Sequence, residues 1–285
     1  MIVITWNVQW CRGVDGKVDP QRIIGEARRL ADFDVLCLQE VADNFPDPEL
    51  GGSAGENQFA ALADLLPGFA AIDGVAVEQP GRDGRRRRFG NMILSRLPVQ
   101  QVYRHLLPYP LDPGVPGMPR IALEAVVKAK FGGVRVITTH LEYYSLKQRM
   151  AQVDQLRSIY AEGHAYAVDA KVTMNDGSPF QTLIRPRGTV ITGDCNFEPD
   201  SAEYARMLST FDDGTPALQD AWHVVHPGAA HPATFNIYQK TDPSGRELHC
   251  DFIFIGGGIE ARVHDIWVDQ RTQASDHQPV VLSLD

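Results

Sequence analysis

The stretch from Gly193 to Pro199 carries an acid and an amide two residues apart, Asp194 and Asn196. It follows a β-branched run that predicts a buried strand, so both side chains are expected where that strand ends. Alternation along an extended chain would put a proton acceptor beside an amide donor suited to a phosphate oxygen. Gly-Asp-x-Asn is also common turn chemistry. The motif alone leaves both interpretations open.

Glu40 occupies a similar position earlier in the chain. Pro20 opens an amphipathic helix, and the apolar run that starts at Asp34 then predicts a core strand with Glu40 at its carboxyl end. In such β-α-β sheets, ligands bind at the carboxyl ends of the strands. The position of Glu40 favours a functional role, and a chance acid at a strand end is the alternative.

Three further polar residues stand in or at the end of predicted strands: Asn91, His140 and Asp251. Asn91 is either a phosphate ligand or a core amide with its hydrogen bonds satisfied. His140 is either structural or catalytic, because a lone histidine carries little information by itself. Asp251 lies in an apolar strand, where a charge is costly unless it has a partner.

The polar residues expected at strand ends form an inventory with a definite chemistry. They are Asn7, Glu40, His140, Asp194, Asn196, Asp251, Asp276 and His277. The set offers oxygen ligands for a hard cation, two imidazoles for proton transfer, and amides for phosphate oxygens. It contains no obvious covalent nucleophile. Ser275, Asp276 and His277 are consecutive, so these three cannot face one another as a serine triad.

The elements that must position these residues indicate one domain over residues 1–285. The chain is 44% hydrophobic and has no linker or low-complexity segment. Consecutive antiparallel strands on either side of residues 132–133 do not fit a purely parallel sheet. We therefore expect an α/β protein with two packed mixed sheets and helices outside, a four-layer α/β/β/α sandwich. Residues 163–187 predict a projecting β-hairpin insertion around Asn175-Asp176-Gly177.

The charge balance bears on the partner. A net charge of −9 disfavours nucleic acid, because binding to its backbone depends on lysine and arginine. Five arginines nevertheless cluster in one predicted loop: Arg82, Arg85, Arg86, Arg87 and Arg88. They are either a solvated loop or a local contact to substrate phosphate.

The four cysteines are scattered and lack a C-x-x-C pair, so buried free thiols are favoured over disulfides or a zinc site. The sequence begins directly with a predicted strand at residues 2–8 and contains no apolar run of membrane-spanning length. We expect a cytoplasmic protein without a membrane span.

Six short motifs in order carry a resemblance to a known family. They are Trp6-Asn7-Val8, Leu38-Gln39-Glu40, Thr138-Thr139-His140-Leu141, Gly193-Asp194-Cys195-Asn196, Cys250-Asp251-Phe252-Ile253 and Ser275-Asp276-His277. This series resembles the endonuclease/exonuclease/phosphatase superfamily of DNase I-like metal-dependent phosphohydrolases. The match spans residues 2–284, nearly the whole chain.

The resemblance implies a metal site. Glu40 resembles the principal Mg²⁺ ligand of the family, and Asn7 and Asp276 would complete or flank it. Mg²⁺ is the expected cofactor, with Mn²⁺ as a substitute. The resemblance also implies phosphate ligands, for which Asn196, Arg120 and Asn91 are the candidates.

The same resemblance implies the catalytic residues. His277 resembles the histidine that pairs with a buried acid, and Asp251 matches that acid. Asp194 would orient or deprotonate the attacking water. His140 resembles the second histidine of the DNase I, sphingomyelinase and inositol-phosphatase branches, a position where abasic-site endonucleases usually carry tyrosine.

The implied function is Mg²⁺-dependent hydrolysis of a phosphodiester or phosphomonoester by in-line attack of water. The acidic charge balance and the histidine at position 140 favour a small or lipid-derived phosphoester. A DNA or RNA nuclease is the close alternative, with Arg85 to Arg88 as local contacts. A non-catalytic binding protein on the same fold is the alternative of another class.

Overall fold

The computed structural model describes residues 1–82, 84–169, 174–181, 183, 185–239, 242 and 244–285. Over these residues the strands are β1 Ile2–Asn7, β2 Val35–Asp43, β3 Ala70–Pro80, β4 Arg86–Ser95, β5 Val99–Leu106, β6 Ile121–Ala129, β7 Gly132–His140, β8 Thr189–Asp194, β9 Gln219–Asp220, β10 Asp251–Gly256, β11 Val263–Val268 and β12 Val280–Leu284. The α-helices are α1 Pro20–Leu30, α2 Gln58–Asp64, α3 Leu146–Asp169, α4 Ala202–Leu208 and α5 Ala221–Val225. Short 3₁₀ turns lie at Gln9–Cys11 and Ile259–Arg262.

The strands form two six-stranded mixed sheets. The order is β11-β12-β1-β2-β4-β3 in the first sheet and β5-β6-β7-β8-β10-β9 in the second. Each sheet has one parallel pair at its centre, β1 with β2 and β7 with β8, beside antiparallel neighbours. The prediction of two mixed sheets is confirmed. The two parallel pairs bring the ends of four strands to one edge, and these four strands carry Asn7, Glu40, His140 and Asp194.

Hydrophobic residues fill three layers between these elements. The inner faces of the two sheets pack together through residues such as Val3, Val35 and Val136. The outer face of the first sheet packs on α1 and α2, and that of the second sheet on α3 and α4. Central strands are therefore apolar on both faces, which explains why they read as continuous apolar runs rather than as alternating ones.

Helix α1 begins as the sequence predicts. The side chain of Asp19 accepts a hydrogen bond from the backbone N–H of Arg22, and Pro20 occupies the first helical position. Both features satisfy the requirements of a helix N-terminus. Ile23, Ile24 and Ala27 form its buried face.

The hairpin predicted at residues 163–187 stays a prediction, because parts of it lie outside the described residues. Helix α3 continues to Asp169, seven residues past the predicted helix end at Glu162, so the first part of that segment is helical. Residues 170–173, 182 and 184, which belong to the two predicted strands, lie outside the described residues. Between them the chain turns at Gly177, which has a positive φ of 73°.

The arginine cluster was predicted as a loop, and for part of it the prediction is wrong. Arg86, Arg87 and Arg88 lie in β4, which forms a hairpin with β3. Each is engaged by an acid: Arg86 by Glu78, Arg87 by Glu49 and Arg88 by Asp43. Arg82 and Arg85 lie in the connection between β3 and β4, as predicted. Acids in β3, in β2 and in the loop after β2 offset the charge of the three arginines in β4.

A bilayer-spanning helix would need a long apolar stretch, and none of the helices in the described part of the chain has one.

Candidate active site

A cavity of about 500 Å³ opens at the edge where the two parallel strand pairs end. Its lining includes these predicted residues: Glu40, Arg120, His140, Asp194, Asn196, Asp276 and His277. Asn7 and Asp251 are fully buried and contact this group from behind. The structure therefore brings nine of the predicted site residues together, and Asn91 is the exception.

Glu40 reaches the cavity through a β-bulge and not because a strand ends there. Strand β2 continues to Asp43, and its register with β4 shifts between Leu38 and Val41. Glu40 sits in this irregularity with φ 60°. A non-glycine residue in that left-handed conformation costs roughly 1–2 kcal/mol, and a bulge of this kind re-aims one side chain. Here it turns the Glu40 carboxylate into the cavity.

Gln9 is a site residue that the sequence analysis missed. Gln9, Trp10 and Cys11 all have positive φ values, 46°, 45° and 61°. This left-handed turn places Gln9 in the cavity lining, where its Nε2 donates to Asp276 Oδ2 at 2.6 Å. Its Oε1 is buried without a hydrogen-bond partner in the described part of the chain. The only available signal was its position two residues after Asn7.

Glu40 and Asp276 form an acidic pair in which each disfavours the charge of the other. Burial and the nearby Asp276 raise the pKa of Glu40 to about 7. Burial also raises the pKa of Asp276. Two carboxylates in this state, beside the unpartnered Gln9 oxygen, are an oxygen donor set that fits a hard divalent cation.

Asn7 holds this donor set in place. Its Nδ2 donates to Glu40 Oε1 at 3.1 Å and to Asp194 Oδ2 at 2.9 Å. Its Oδ1 accepts from the backbone N–H of Gln9 at 3.0 Å. In this orientation the amide oxygen faces the main chain, so Asn7 links two carboxylates and does not present an oxygen to a cation.

The two histidines differ in protonation. Burial lowers the pKa of His277, but the carboxylates of Asp251 and Asp194 outweigh it, and the pKa is raised well above its usual value. Asp251 Oδ2 lies 2.9 Å from His277 Nδ1. Burial and the nearby Arg120 lower the pKa of His140 to about 3. At neutral pH the cavity therefore contains one imidazolium and one neutral imidazole.

Asp194 lies between these two rings. Its Oδ2 is 3.4 Å from His140 Nε2 and 3.7 Å from His277 Nε2. The preceding Gly193 has φ 143°, and a Cβ there would lie 1.9 Å from the carbonyl oxygen of Thr139. Only glycine permits this close approach of β8 to β7, which sets the position of the carboxylate.

Asn196 reaches the cavity by a turn, so the predicted extended alternation is wrong. Its φ is 52°, and its backbone N–H donates to Asp194 Oδ1 at 3.0 Å. Its Nδ2 donates to the carbonyl of Leu141 at 2.9 Å. The motif therefore forms a turn, one of the two interpretations that the sequence left open, and this turn places both side chains in the lining of one cavity.

Arg120 offers an unused donor to the cavity. The side chain is 6% exposed, its Nε lies 3.4 Å from Glu142 Oε2, and within the described residues its Nη1 is buried without a partner. A buried guanidinium N–H without an acceptor is costly. A phosphate oxygen in the cavity would supply that acceptor. The sequence analysis also missed Glu142, which lies two residues after His140.

Asn91 lies outside the cavity. Its Nδ2 donates to the carbonyl of Ile121 at 3.0 Å, and the residue is buried between strands. The structure therefore places it as a core amide, the alternative that the sequence left open.

The mouth of the cavity is apolar and aromatic. The lining includes Trp10, Met118, Tyr143, Tyr144 and Phe235. Tyr144 is 62% exposed, and its ring packs edge-on against that of Tyr143. An exposed aromatic surface beside a polar site is suited to an apolar portion of a ligand.

Comparison with known proteins gives a match over almost the entire chain. The family model described as Endonuclease/Exonuclease/phosphatase family matches residues 4–277. A search of curated proteins finds no match.

Solved structures with the same fold include three of particular interest. An endonuclease/exonuclease/phosphatase from Beutenbergia cavernae is 25% identical with a TM-score of 0.70, over 99% of this chain and 70% of that one. The mannosyl-6-phosphatase Bt3783 of Bacteroides thetaiotaomicron is 19% identical with a TM-score of 0.63, over 100% and 99% of the chains. The 3′ phosphatase NExo from Neisseria, bound to a product DNA hairpin, is 23% identical with a TM-score of 0.60, over 100% and 99%.

Proposed function

The chain belongs to the endonuclease/exonuclease/phosphatase family, and on that premise we propose that it is a divalent-metal-dependent hydrolase in which water attacks a phosphoester. One observation carries this proposal. The cavity joins an acidic pair, Glu40 and Asp276, to two cationic donors, Arg120 and His277. A phosphoryl group needs both a cation and hydrogen-bond donors around its oxygens.

Mg²⁺ is the proposed cofactor, with Mn²⁺ as a substitute. Glu40, Asp276 and Gln9 Oε1 would hold the ion, and Asn7 would keep the carboxylates of Glu40 and Asp194 in register. When bound, the ion would neutralise charge on a phosphoryl oxygen and on the leaving oxygen. The raised pKa of Glu40 supports this assignment, because a cation beside the acidic pair would stabilise the carboxylate that burial and the nearby Asp276 destabilise.

Asp194 is the proposed acceptor of the proton of the attacking water. It lies in the cavity with one oxygen, Oδ2, held by Asn7 and within 4 Å of both imidazoles. Its other oxygen accepts the Asn196 N–H, which fixes the carboxylate plane. A fixed carboxylate can orient a water molecule for in-line attack, and much of the catalysis would come from this positioning.

His277 and Arg120 are the proposed donors to the phosphoryl oxygens. His277 is kept protonated by Asp251 and Asp194, and it supplies a charged N–H from Nε2. Arg120 supplies Nη1, which otherwise lacks an acceptor. Asn196 lines the same wall, and neutral His140 can donate one further N–H. Charge that develops on the phosphoryl group would thus meet donors already in place.

A small or lipid-derived phosphoester is the proposed substrate class. The apolar mouth at Tyr143 and Tyr144 favours a substrate with an apolar portion. The arginines of β4 are paired with acids, which offsets the positive charge that a nuclease would use at this surface. The two named neighbours, a mannosyl-6-phosphatase and a 3′ phosphatase bound to a product DNA hairpin, differ widely in their ligands, so a likeness in fold alone does not choose between these substrate classes.

The experiment measures hydrolysis of bis-p-nitrophenyl phosphate and p-nitrophenyl phosphate with Mg²⁺, Mn²⁺ or EDTA. We expect metal-dependent turnover by the native protein and at least about 10²-fold less in Asp194→Asn. Asp213→Asn, an exposed acid outside the cavity, is the matched control. Turnover unaffected by EDTA and by Asp194→Asn would refute the metal-dependent mechanism at this cavity. No turnover, together with no Mg²⁺ binding, would favour the non-catalytic binding protein.

A second measurement addresses the substrate. Ethyl and octyl p-nitrophenyl phosphates differ by six methylenes, each worth up to about 0.8 kcal/mol when buried. We expect higher kcat/KM for the octyl ester and a reduced preference in Tyr144→Ser. Nicking of supercoiled plasmid at a rate that exceeds ester hydrolysis, and that falls in Arg87→Gln, would instead identify a nuclease.

A further inference from the structure

We propose a second metal site, for Zn²⁺ or a chemically similar transition metal, formed by His223, His231 and His249 and oriented by Asp220. The three histidines line a cavity of about 480 Å³ whose lining shares no residue with that of the active site. The site is independent of the proposed phosphoester chemistry. Its ligands are imidazoles, whereas those of the active site are oxygens.

Three local elements bring the residues together. Asp220 ends β9, and its Oδ1 accepts the backbone N–H of Trp222 at 2.9 Å to cap helix α5, which carries His223. His231 lies in the connection after α5, and His249 comes just before β10. One ligand atom from each of Asp220, His223 and His231 lies within 4.8 Å of the others.

Asp220 sets the tautomer of His231. Its Oδ2 lies 2.7 Å from His231 Nε2 and accepts from the Tyr204 hydroxyl at 2.8 Å. When Nε2–H donates to this carboxylate, the lone pair of the ring lies on Nδ1. A carboxylate that orients a histidine through its far nitrogen is the usual outer partner of a metal-binding imidazole.

His249 provides an independent indication of a ligand. Its Nδ1 lies 2.7 Å from the carbonyl of Pro232, to which it donates, so Nε2 carries the lone pair. The side chain is 7% exposed and lines the cavity, and among the described residues Nε2 is buried without a hydrogen-bond partner. A buried acceptor without a partner is costly, and a metal ion would satisfy it.

The ring of His231 lies at a similar distance from those of His223 and His249, and both distances are close to that of two imidazoles on one tetrahedral ion. The ring centroids of His231 and His249 are 4.5 Å apart, and those of His223 and His231 are 4.7 Å apart. Two imidazoles on one Zn²⁺ have centroids about 5 Å apart, because each Zn–N bond is about 2.0–2.1 Å. Imidazole ligands select transition metals over Mg²⁺, which prefers oxygen. The two sites would therefore take different metals from the same solution.

A metal at this site would link three segments of the chain next to the second sheet: helix α5, the connection at 226–233 and the residues just before β10. His249 is two residues from Asp251, which contacts His277 in the active site. An ion that binds the folded chain alone stabilises it. We therefore expect Zn²⁺ to raise the unfolding temperature of the protein.

The test titrates the full chain with Zn²⁺ by calorimetry in excess Mg²⁺, with Co²⁺ absorption as a second probe. We expect one Zn²⁺ per chain and the visible absorption of tetrahedral Co²⁺. In His223→Ala, affinity should fall by at least about 100-fold, since loss of even an outer partner costs about 10–100-fold. His264→Ala, another exposed histidine, is the matched control and should bind like the native protein.

A second variant, His249→Gln, tests the buried ligand, with near-UV circular dichroism as a check of folding. Loss of the Zn²⁺ site and of the thermal shift in both variants, with phosphoester hydrolysis retained in His223→Ala, would support the proposal. Equal Zn²⁺ affinity in native protein and His223→Ala would place the ion elsewhere and overturn it. Absence of Zn²⁺ binding by the native protein would overturn it as well, whatever the hydrolase assays give.

Discussion

Asp251 Oδ2 lies 2.9 Å from Nδ1 of His277. Of these two residues, His277 lines the cavity and Asp251 lies behind it. The acid is fully buried, and its other oxygen, Oδ1, has no partner within the described residues. The burial of this charge, which the sequence marked as costly, is offset mainly by one contact with an imidazolium. Asp251 therefore acts through His277, as a positioning residue that keeps the ring protonated and fixes its orientation.

Asp251→Asn should lower kcat/KM by about 10²-fold or more. The pKa of His277 is raised by its carboxylates, so the proton stays bound until the pH rises past that raised value. Removing the negative charge lowers this pKa. The alkaline fall of kcat/KM should therefore begin at lower pH in the variant, which a pH profile of kcat/KM measures.

Asp285→Asn is the control for Asp251→Asn, because Asp285 forms an exposed pair with His264 far from the cavity. Its pH profile should match that of the native protein. An Asp251→Asn profile that is lower at every pH but has unchanged limbs would contradict the charge argument. It would leave Asp251 with a purely structural role.

Glu40→Gln should raise the Mg²⁺ concentration for half-maximal activity by at least about 10-fold. The metal-free pKa of Glu40 is about 7, so Mg²⁺ competes with a proton below that pH. Half-activation of the native protein should therefore require more Mg²⁺ as the pH falls below about 7, and the variant should lack this dependence. Mg²⁺ titrations at several pH values measure both effects. Glu78→Gln, an exposed acid paired with Arg86, is the control, and a native response in Glu40→Gln would remove Glu40 from the metal site.

Arg120→Lys should lower kcat/KM by about 10–100-fold, because a charged hydrogen bond contributes roughly 1.5–3 kcal/mol. Lysine keeps the charge but loses the fork that engages Glu142 and leaves Nη1 for the substrate. Inhibition by inorganic phosphate should weaken in parallel. Arg104→Lys, whose guanidinium pairs with exposed Asp73, is the control. If phosphate inhibition stays native while turnover falls, Arg120 does not bind the phosphoryl group.

The sequence predicts the fold and most of the site because strand ends are local features. Asp194 and His140 end apolar runs, and His277 shortly precedes one. Apolar runs of this length in an α/β chain are typical of the central strands of a sheet. The ends of neighbouring strands then meet at one edge. Position along the chain is enough to predict which polar residues share that edge.

Backbone irregularities are what the sequence does not predict. Glu40 depends on a bulge and Gln9 on three successive left-handed residues, and neither conformation is a local preference of those residue types. Tertiary contacts determine them. For the same reason Asn91 could be either core or site, since its partner, the carbonyl of Ile121, is 30 residues away.

Glu124 gives a prediction for stability. This fully buried acid contacts Arg135, Arg185 and His105 at 2.7, 3.1 and 3.0 Å. Burial raises its pKa, but the hydrogen bonds from His105 and Arg135 outweigh burial and lower it to about 2. Glu124→Gln removes the buried acid that Arg135 and Arg185 share, and leaves Arg185 with the more exposed Glu162. It should reduce the free energy of unfolding at pH 7 by about 3–5 kcal/mol.

The sign of the pH dependence follows from the lowered pKa. The contribution of Glu124 is complete above the unfolded value of about 4.5 and is lost as the pH falls toward about 2. Urea unfolding at pH 7, 5 and 3 should therefore show a steeper acid loss in the native protein than in Glu124→Gln. Glu162→Gln, whose exposed carboxylate also contacts Arg185, should cost less than about 1 kcal/mol at pH 7. Parallel acid losses in native protein and Glu124→Gln would show that the cluster does not carry the acid sensitivity of the fold.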